Sequence, residues 1–317
     1  MSGQAVEHLR LGTTPIEVSS LGVGAWAWGD SLTWGYGRGY GRDDVEAAFR
    51  ASLEAGIDFV DTAEIYGMGE SERLLGEFLR TTRKDAVVAT KFFPFPWRLR
   101  QGDLIRALRG SLRRLGLSRV DLYQIHWPFP PLPARVWAEA LATSVDLGLT
   151  RAVGVSNYNG RQMEETHRIL ARRGIPLASN QVEFSLLERT PERNGLLDRC
   201  RSLQVRVIAY SPLAMGLLTG KYTPHHPLPL ARRRAFPWID LHRLAGLIDA
   251  LREVGQGYAG KTPGQVALNW VMAKGALPIP GAKNAAQARE NAGALGWRLT
   301  ADESQHLEKI ADEVVGR

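Results

Sequence analysis

Short apolar runs rich in β-branched residues recur along this 317-residue chain. Their usual spacing is roughly 30 residues, the length of one strand–helix unit. The runs predict eight strands, which are Leu21–Ala25, Asp58–Asp61, Ala86–Lys91, Val120–His126, Ala152–Ser156, Ala178–Phe184, Val205–Tyr210 and Leu277–Pro280. Strands that alternate with helices are parallel and joined by right-handed crossovers. The pattern therefore predicts an α/β fold, either a closed (β/α)8 TIM barrel or a doubly wound open sheet.

The segments between these runs have the periodicity of amphipathic helices. From Val45 to Leu53, apolar and small residues recur at i, i+3, i+4, i+7 and i+8. Pro263 after Thr262 marks another helix start, because Pro is favoured at the first helical position. Further helices are predicted after Ser71 and over Leu104–Leu115, Val136–Val145 and Val266–Val271. We also expect a short N-terminal β-hairpin over about residues 8–18 and a helix at the C-terminus.

Two observations favour the barrel over the open sheet. Open sheets that bind dinucleotides carry Gly-x-Gly-x-x-Gly after the first strand, whereas the stretch from Gly35 to Gly41 has glycine at every second position. Polar residues also follow nearly every predicted strand instead of gathering at one switch point. We therefore predict one barrel domain over residues 1–317. A functional loop is predicted over about residues 216–240, which is too long for an ordinary connection.

The composition narrows the functional classes. The net charge of +7 suggests nucleic-acid binding, but the arginine runs are not interleaved with aromatic residues as a stacking platform requires. The single cysteine, Cys200, excludes a disulfide framework and a thiolate metal cluster, and fits a reducing compartment. No stretch reaches the roughly 18 apolar residues that cross a bilayer, and the N-terminus lacks an apolar signal region. We expect a cytoplasmic protein without nucleic-acid or membrane partners.

Chemically active residues stand where predicted strands end. Asp61 closes the second strand, Tyr66 lies on the loop after it, and Lys91 and His126 end the third and fourth strands. Because the carboxyl ends of barrel strands share one face, these four side chains are expected to meet. The set lacks the clustered histidines of a zinc or iron site, so no metal is expected.

These four residues resemble the catalytic tetrad of the aldo-keto reductase superfamily, and the resemblance covers essentially the whole chain. The matching segments are Gly56–Gly67, Thr90–Phe92, Asp121–His126, Gly154–Asn157, Asn180–Val182, Ala209–Leu213, Ile279–Gly281 and Glu290-Asn291. They occur in the family's order and at the predicted strand ends. Gly24–Gly29 and Ile175–Gln181 are most similar to a plant and cyanobacterial branch that includes pyridoxal reductase-like proteins.

The resemblance implies a reductase that transfers hydride from C4 of a nicotinamide cofactor to an aldehyde or ketone. Tyr66 would protonate the product oxygen, and His126 would orient the carbonyl group. The unperturbed phenol pKa is about 10. Attraction by Lys91 at about 4 Å is worth roughly 4 kcal/mol, enough to lower that pKa by about three units before burial counteracts it. Asp61 would keep Lys91 charged and oriented.

The resemblance also implies a cofactor site across the barrel mouth. Ser156, Asn157 and Gln181 match the residues that bind the nicotinamide carboxamide, and Tyr210 matches the aromatic residue beneath the ring. The pyrophosphate segment corresponds to Ser211, Pro212, Leu213, Gly216 and Lys221. The adenosine end corresponds to Gly281, Lys283, Gln287, Glu290 and Asn291, with Arg232 and Arg234 as supplementary cations. A lysine at a helix N-terminus suits a 2′-phosphate, so NADPH is favoured over NADH.

The substrate pocket is expected to be walled by four tryptophans that follow strand ends, namely Trp26, Trp28, Trp97 and Trp127. Aromatic walls suit flat carbonyl compounds such as pyridoxal or an aryl aldehyde. We expect a monomer or a weak homo-oligomer. Two alternatives stay open at this point. One is a catalytically slow, cofactor-sensing interaction protein on the same fold, and the other is a barrel glycosidase that uses Glu64 and Glu183.

Overall fold

The computed structural model describes residues 6–82, 85–129 and 132–316, except for the side chains of residues 230–232. Its strands are β1 (His8–Arg10), β2 (Glu17–Ser19), β3 (Gly22–Gly24), β4 (Phe59–Asp61), β5 (Val87–Phe92), β6 (Val120–Ile125), β7 (Thr150–Ser156), β8 (Leu177–Glu183), β9 (Arg206–Tyr210) and β10 (Leu277–Pro278). Strands β1 and β2 form an antiparallel hairpin, as predicted. Strands β3 to β10 form one parallel sheet in sequence order.

The sheet closes on itself between its first and last strands. The backbone N–H of Gly24 donates to the carbonyl of Pro280 at 3.0 Å, and Gly24 bridges Gly281 in parallel. A Cβ at Gly24 would lie 2.8 Å from the Ile279 carbonyl oxygen, so only glycine allows the two edges to approach this closely. The (β/α)8 TIM barrel is thereby confirmed, and the doubly wound sheet is excluded.

Helices follow the barrel strands and form the outer layer. They are α1 (Arg42–Glu54), α2 (Glu70–Thr81), α3 (Gln101–Leu115), α4 (Ala134–Asp146), α5 (Gly160–Ala171), α6 (Thr190–Arg193), α7 (Leu196–Ser202), α8 (Leu230–Ala235), α9 (Leu241–Gln256), α10 (Pro263–Ala273), α11 (Ala285–Ala292) and α12 (Ala301–Val314). Thr262 caps α10 and Pro263 is its first residue, as the sequence predicts. The predicted C-terminal helix is α12. The long segment over residues 216–240 is partly helical, because α8 lies within it.

The barrel interior near the amino-terminal ends of the strands is filled by apolar side chains. Leu11, Ile16 and Val18 of the hairpin pack against the inward side chains of the strands, so the hairpin covers the amino-terminal end of the barrel. The strand residues of this layer include Phe59, Ala89, Leu122, Ala152, Ala178, Ile208 and Leu277. The inward positions nearer the carboxyl ends of the strands are polar and buried, among them Asp61, Lys91, Gln124, Ser179 and Gln181. The buried polar side chains that face the barrel interior therefore lie toward its carboxyl-terminal mouth.

Candidate active site

Lys91 connects Asp61 and Tyr66 at the floor of the mouth. Its side chain is completely buried. Its Nζ donates to Oδ1 of Asp61, to the carbonyl of Thr62 at 3.0 Å and to the hydroxyl of Tyr66 at 3.3 Å. Parallel pairing of β4 with β5 aligns Asp61 with Ala89. Lys91, two residues farther along β5, therefore faces inward just above the carboxylate. The fold brings these three predicted residues into one contact network.

The second oxygen of Asp61 is held by two buried amides. Oδ2 accepts hydrogen bonds from Nε2 of Gln124 at 3.1 Å and from Nε2 of Gln181 at 2.9 Å. A carboxylate buried inside a protein is tolerated when its oxygens are paired and hydrogen-bonded in this way. Gln181 was predicted to contact the cofactor only. Its direct bond to Asp61 is a second role that strand-end position alone does not reveal.

Burial and the ion pair set the charge states of Lys91 and Tyr66. Burial is the largest single influence on the pKa of Lys91 and lowers it, but the interactions with Asp61 and Tyr66 together outweigh burial, so the net pKa is raised and the ammonium stays charged. Burial raises the pKa of Tyr66, and the opposing attraction of Lys91 only partly offsets it. The effect of Lys91 on the phenol pKa thus has the expected direction, but the effect of burial is larger and the net pKa is raised. At neutral pH, Tyr66 is a protonated phenol, which is the form that can donate a proton.

His126 follows β6 and stands beside Tyr66. The ring centroids lie 5.6 Å apart with the planes at 82°. Burial, reinforced by the charge of Lys91, depresses the pKa of His126 well below its ordinary value, so the imidazole is neutral at physiological pH. Its Nδ1 is buried and has no hydrogen-bond partner among the residues that the structure describes. The imidazole is therefore a neutral polar group in the mouth next to the phenol.

A cavity of about 830 Å³ opens above these residues. It is lined by three of the four predicted catalytic residues, Asp61, Tyr66 and His126. It is also lined by most of the predicted cofactor residues, which are Ser156, Asn157, Gln181, Tyr210, Ser211, Pro212, Leu213, Gly216, Lys221, Gly281, Lys283, Gln287, Glu290 and Asn291. Lys91 lies beneath the floor of the cavity. This cavity thus joins the carboxyl ends of the early strands to the segments after β9 and β10.

Hydrogen bonds order the polar side chains at one wall of the cavity. Tyr210 donates its hydroxyl to Oδ1 of Asn157 at 3.0 Å, and Nδ2 of Asn157 donates to the carbonyl of His126 at 3.1 Å. Ser156 donates its hydroxyl to the carbonyl of Gln181 at 2.9 Å. Asn157 and Ser211 both have left-handed backbone angles, with φ of 62° and 50°. Such angles are uncommon outside glycine and often mark functional sites.

Lys283 forms the opposite end of the cavity, just before α11. Its Nζ donates to the carbonyl of Trp34 at 2.8 Å and lies 4.4 Å from the ring centroid of Tyr40. Its backbone N–H donates to Oε1 of Gln287 at 2.9 Å. Asn284 caps the helix by accepting from the Gln287 backbone N–H. The glycine-rich loop after β3 therefore holds the ammonium group of Lys283 at the cavity edge.

The tryptophan prediction needs correction at two positions. Trp26 and Trp127 line the cavity as expected. Trp28 is completely buried outside it, with its ring beside Phe49 and its Nε1 donating to the carbonyl of Ala282. Trp97 is 71% exposed and stacks on Phe95 instead of lining the cavity. The Trp28 ring lies between Phe49 of α1 and Phe78 of α2, and sequence spacing does not show which side a loop residue will take.

Arg234, one of the two predicted supplementary arginines, does not line the cavity. Arg234 lies in α8 and is exposed, and the cavity lining in this segment comes instead from Ala235 and Phe236. Arg232 lies in the same helix, but its side chain falls outside the described residues. The end of α8 and the residue after it thus line the mouth through apolar side chains.

Sequence reasoning missed several residues of the site. Trp34 and Phe236 line the cavity from the two long loops, where no periodicity indicates direction. Glu183 was considered only as a glycosidase acid. It ends β8 on the same inward face as Gln181, a direction that strand alternation would have indicated. Burial, with a further contribution from Glu188, raises the pKa of the Glu183 carboxyl group. Gln124 could have been found in the same way, two residues before His126.

The fold and the site define a TIM barrel with a buried lysine, a buried aspartate and a half-buried tyrosine in its mouth. Comparison with known proteins agrees. The sequence profile of the Aldo/keto reductase family matches residues 20–312. The chain is 42% identical to pyridoxal reductase, chloroplastic, of Arabidopsis thaliana over 316 aligned residues, which cover 94% of this chain and 85% of the relative. This chain therefore belongs to the aldo/keto reductase family.

Solved structures of the family superpose on the whole barrel. Glycerol dehydrogenase AKR11B4 from Gluconobacter oxydans is 27% identical with a TM-score of 0.84, and the match covers 100% of this chain and 98% of that one. An aldo/keto reductase from Klebsiella pneumoniae in complex with NADP and acetate is 29% identical with a TM-score of 0.72, covering 93% of this chain and 92% of that one.

Within the described residues, no helix is long and apolar enough to cross a membrane. The Arabidopsis relative carries "chloroplastic" in its name. The cytoplasmic location stays a prediction, because nothing in the fold or the site tests it.

Proposed function

We propose that the protein is an NADPH-dependent reductase of aldehydes or ketones in which Tyr66 is the proton donor. The observation that carries this proposal is the 3.3 Å contact of the Tyr66 hydroxyl with the buried Lys91 ammonium, which is itself paired with Asp61. A neutral phenol beside a fixed cation can release its proton to an oxygen that gains negative charge. The membership of the chain in an oxidoreductase family supports this assignment.

Each residue has a separate task in this proposal. Tyr66 gives its proton to the carbonyl oxygen as that oxygen becomes an alkoxide. Lys91 stabilises the phenolate that remains, and Asp61 keeps Lys91 charged and directed at the phenol. The neutral imidazole of His126 hydrogen-bonds the substrate oxygen and orients the carbonyl group. A neutral imidazole suits this role, because a second cation would compete with Lys91 for the developing charge.

The cavity suits a dinucleotide with an added phosphate. Its volume of about 830 Å³ lies in the range of cofactor sites. Gly216 has φ of 93°, and a Cβ there would lie 2.6 Å from Nζ of Lys221, so the absent side chain leaves room for that ammonium at the wall. Lys283 supplies a second cation before α11. Related structures with bound NADP or NADPH support the choice of cofactor. When bound, NADPH supplies the hydride.

The substrate end of the cavity favours a flat aromatic aldehyde. Trp26 stacks on Tyr66 with centroids 6.0 Å apart and meets Trp34 edge to face at 5.5 Å. Trp127, which follows His126 after β6, also lines the cavity. Aromatic walls of this kind bind planar rings through offset or edge contacts. Pyridoxal is our first candidate, and the 42% identity to a pyridoxal reductase supports it.

The test compares wild type with Tyr66→Phe on pyridoxal, aryl aldehydes, methylglyoxal and aldoses, followed by NADPH absorbance. We expect turnover to fall at least about a hundredfold, the low end for loss of a general acid. NADPH affinity, measured by fluorescence, should change less than about twofold. Tyr158→Phe is the matched control, because it removes a buried tyrosine hydroxyl outside the cavity.

Near-normal carbonyl reduction by Tyr66→Phe would refute the assignment of the proton donor. A wild-type protein that binds NADPH, oxidises one equivalent with aldehyde and then stops would instead indicate the cofactor-sensing alternative. A wild-type protein that does not bind NADPH would contradict the proposal as a whole.

A further inference from the structure

We infer that Gln124 is a positioning residue of this site, which holds the Asp61 carboxylate so that Lys91 is directed at Tyr66. This inference rests on the function proposed above. Gln124 is completely buried on β6 and does not line the cavity. It therefore acts on the reaction through Asp61 alone and touches neither substrate nor cofactor.

The orientation of the Gln124 amide is determined by its two neighbours. Its Oε1 accepts from the hydroxyl of Ser179 at 3.3 Å, and its Nε2 donates to Oδ2 of Asp61 at 3.1 Å. An ionised carboxylate only accepts hydrogen bonds, so the NH₂ end of the amide must face Asp61. The carbonyl oxygen of the same amide then accepts the hydrogen bond from the Ser179 hydroxyl.

The two oxygens of Asp61 have different partners. Oδ1 binds the ammonium of Lys91, whereas Oδ2 binds the amides of Gln124 and Gln181. Without these amides, the carboxylate would be free to rotate and engage Lys91 with both oxygens. That rotation would draw the ammonium toward Asp61 and away from the Tyr66 hydroxyl. The amides thus maintain the geometry in which the Lys91 ammonium contacts Asp61 and Tyr66 at the same time.

The missing side chain of Gly154 leaves room for the Gln124–Ser179 pair. Gly154 of β7 lies beside the pair, and a Cβ there would be 2.3 Å from the Ser179 hydroxyl oxygen and 3.1 Å from Cγ of Gln124. Any side chain at this position would displace the pair. The glycine is an observation independent of the hydrogen bonds, and it indicates that the interior accommodates this polar contact.

Gln181 differs from Gln124 in its exposure to the cavity. Gln181 lines the cavity and is also a candidate for contact with the cofactor. A Gln181 variant would therefore change cofactor binding and the catalytic geometry together. Gln124 separates the two effects, which makes it the better residue to test.

The test uses Gln124→Met and Gln124→Glu, with kcat, KM and NADPH affinity measured across the pH range. Methionine fills a similar volume but cannot donate to Asp61. A protonated glutamic acid can donate to Asp61, whereas an ionised glutamate cannot. The charged and titratable groups near this position are Asp61, Lys91, Tyr66 and His126. Two carboxyl groups in contact resist double ionisation, so the added group should hold its proton well above its ordinary range.

We expect Gln124→Met to lose about tenfold in kcat at every pH, with NADPH affinity within about twofold of wild type. Gln124→Glu should approach wild-type kcat at acid pH and fall about tenfold below it as the pH rises. Ser179→Ala, which removes the anchor but keeps the donor, should cost only about twofold to threefold. A merely structural role for Gln124 would not restore activity at acid pH.

Three results would overturn the inference. They are a Gln124→Met variant within twofold of wild-type kcat, a Gln124→Glu variant whose pH profile is parallel to that of wild type, or a loss that appears only in NADPH affinity. If Gln124→Met does not fold, the pH profile of Gln124→Glu decides alone. Failure of the proposed function is distinguishable, because wild type itself would then reduce no carbonyl compound.

Discussion

The two ends of the barrel interior differ in polarity. At the amino-terminal end, hairpin residues such as Leu11 and Val18 pack on strand residues such as Phe59. At the carboxyl-terminal mouth, Asp61 and Lys91 form a buried ion pair. Burial of hydrocarbon stabilises a fold by roughly 25 cal/mol per Å². Burial of an ion pair often contributes nothing net, because the desolvation of the two charges offsets their attraction. The amino-terminal end therefore stabilises the barrel, and the mouth is stable only while its charges stay matched.

The largest expected effect comes from removing one charge of the Asp61–Lys91 ion pair at the mouth. Asp61→Ala leaves the Lys91 ammonium buried without its counter-charge, so we expect a loss of about 3–5 kcal/mol in the free energy of unfolding, together with loss of turnover. Urea denaturation provides the measurement. The double variant with Asp61→Leu and Lys91→Met removes both charges and should recover most of the stability without activity. If the double variant is as unstable as the single one, the charge mismatch is not the cause.

A change at the amino-terminal end should affect stability alone. Leu11→Ala removes a completely buried side chain of the N-terminal hairpin, and such truncations cost about 2–5 kcal/mol in the free energy of unfolding. We expect kcat and KM at 25 °C to stay within about twofold of wild type, because the polar layer separates Leu11 from the cavity. An equal loss of kcat in this variant would show that the two ends are coupled.

A smaller effect is expected at the cofactor edge of the mouth. Lys283→Ala removes the cation proposed to meet the 2′-phosphate, so the ratio of NADPH to NADH affinity should fall about tenfold, equivalent to about 1.4 kcal/mol. Titration of both cofactors by fluorescence measures the ratio. Lys309→Ala, an exposed lysine on α12, is the control and should leave the ratio unchanged. The same ratio in both variants would contradict the phosphate assignment.

The smallest expected effect is a pH dependence of the free energy of unfolding. It should come from the mouth, because the buried apolar residues that the structure describes at the amino-terminal end carry no group that titrates. The folded-state pKa of His126 is depressed, so the unfolded chain binds a proton near pH 6.5 that the native state does not bind. Stability should therefore fall as the pH drops below about 6.5, by about 1 kcal/mol near pH 5.5, and be unaffected by this group above it. His126→Gln should lose this dependence. An unchanged pH slope in the variant would assign it to other groups.

Much of the architecture is visible in the local pattern of residues. The eight apolar runs correspond to β3–β10, with ends shifted by a few residues, and Thr262-Pro263 begins α10 as its chemistry requires. Such features depend on neighbours along the chain. Trp28 and Trp97 could not be predicted in the same way, because the side that a loop residue takes depends on which distant elements pack against it. The same holds for Trp34 and Phe236, which enter the cavity from long loops.

The sequence by itself carried the resemblance to the family, through the residues at the strand ends and the matching segments along the chain. Alternating strands and helices, and strands that end in Asp61, Lys91 and His126, are patterns within the chain itself. The balance of energies at the site depended on three-dimensional packing. Attraction by Lys91 alone suggested a lowered phenol pKa, but the burial of Tyr66 raises it. The contact of Gln124 with Asp61 likewise arises from the register of neighbouring strands. Desolvation and cross-strand contacts are set by residues remote in sequence, and so they exist only in the folded barrel.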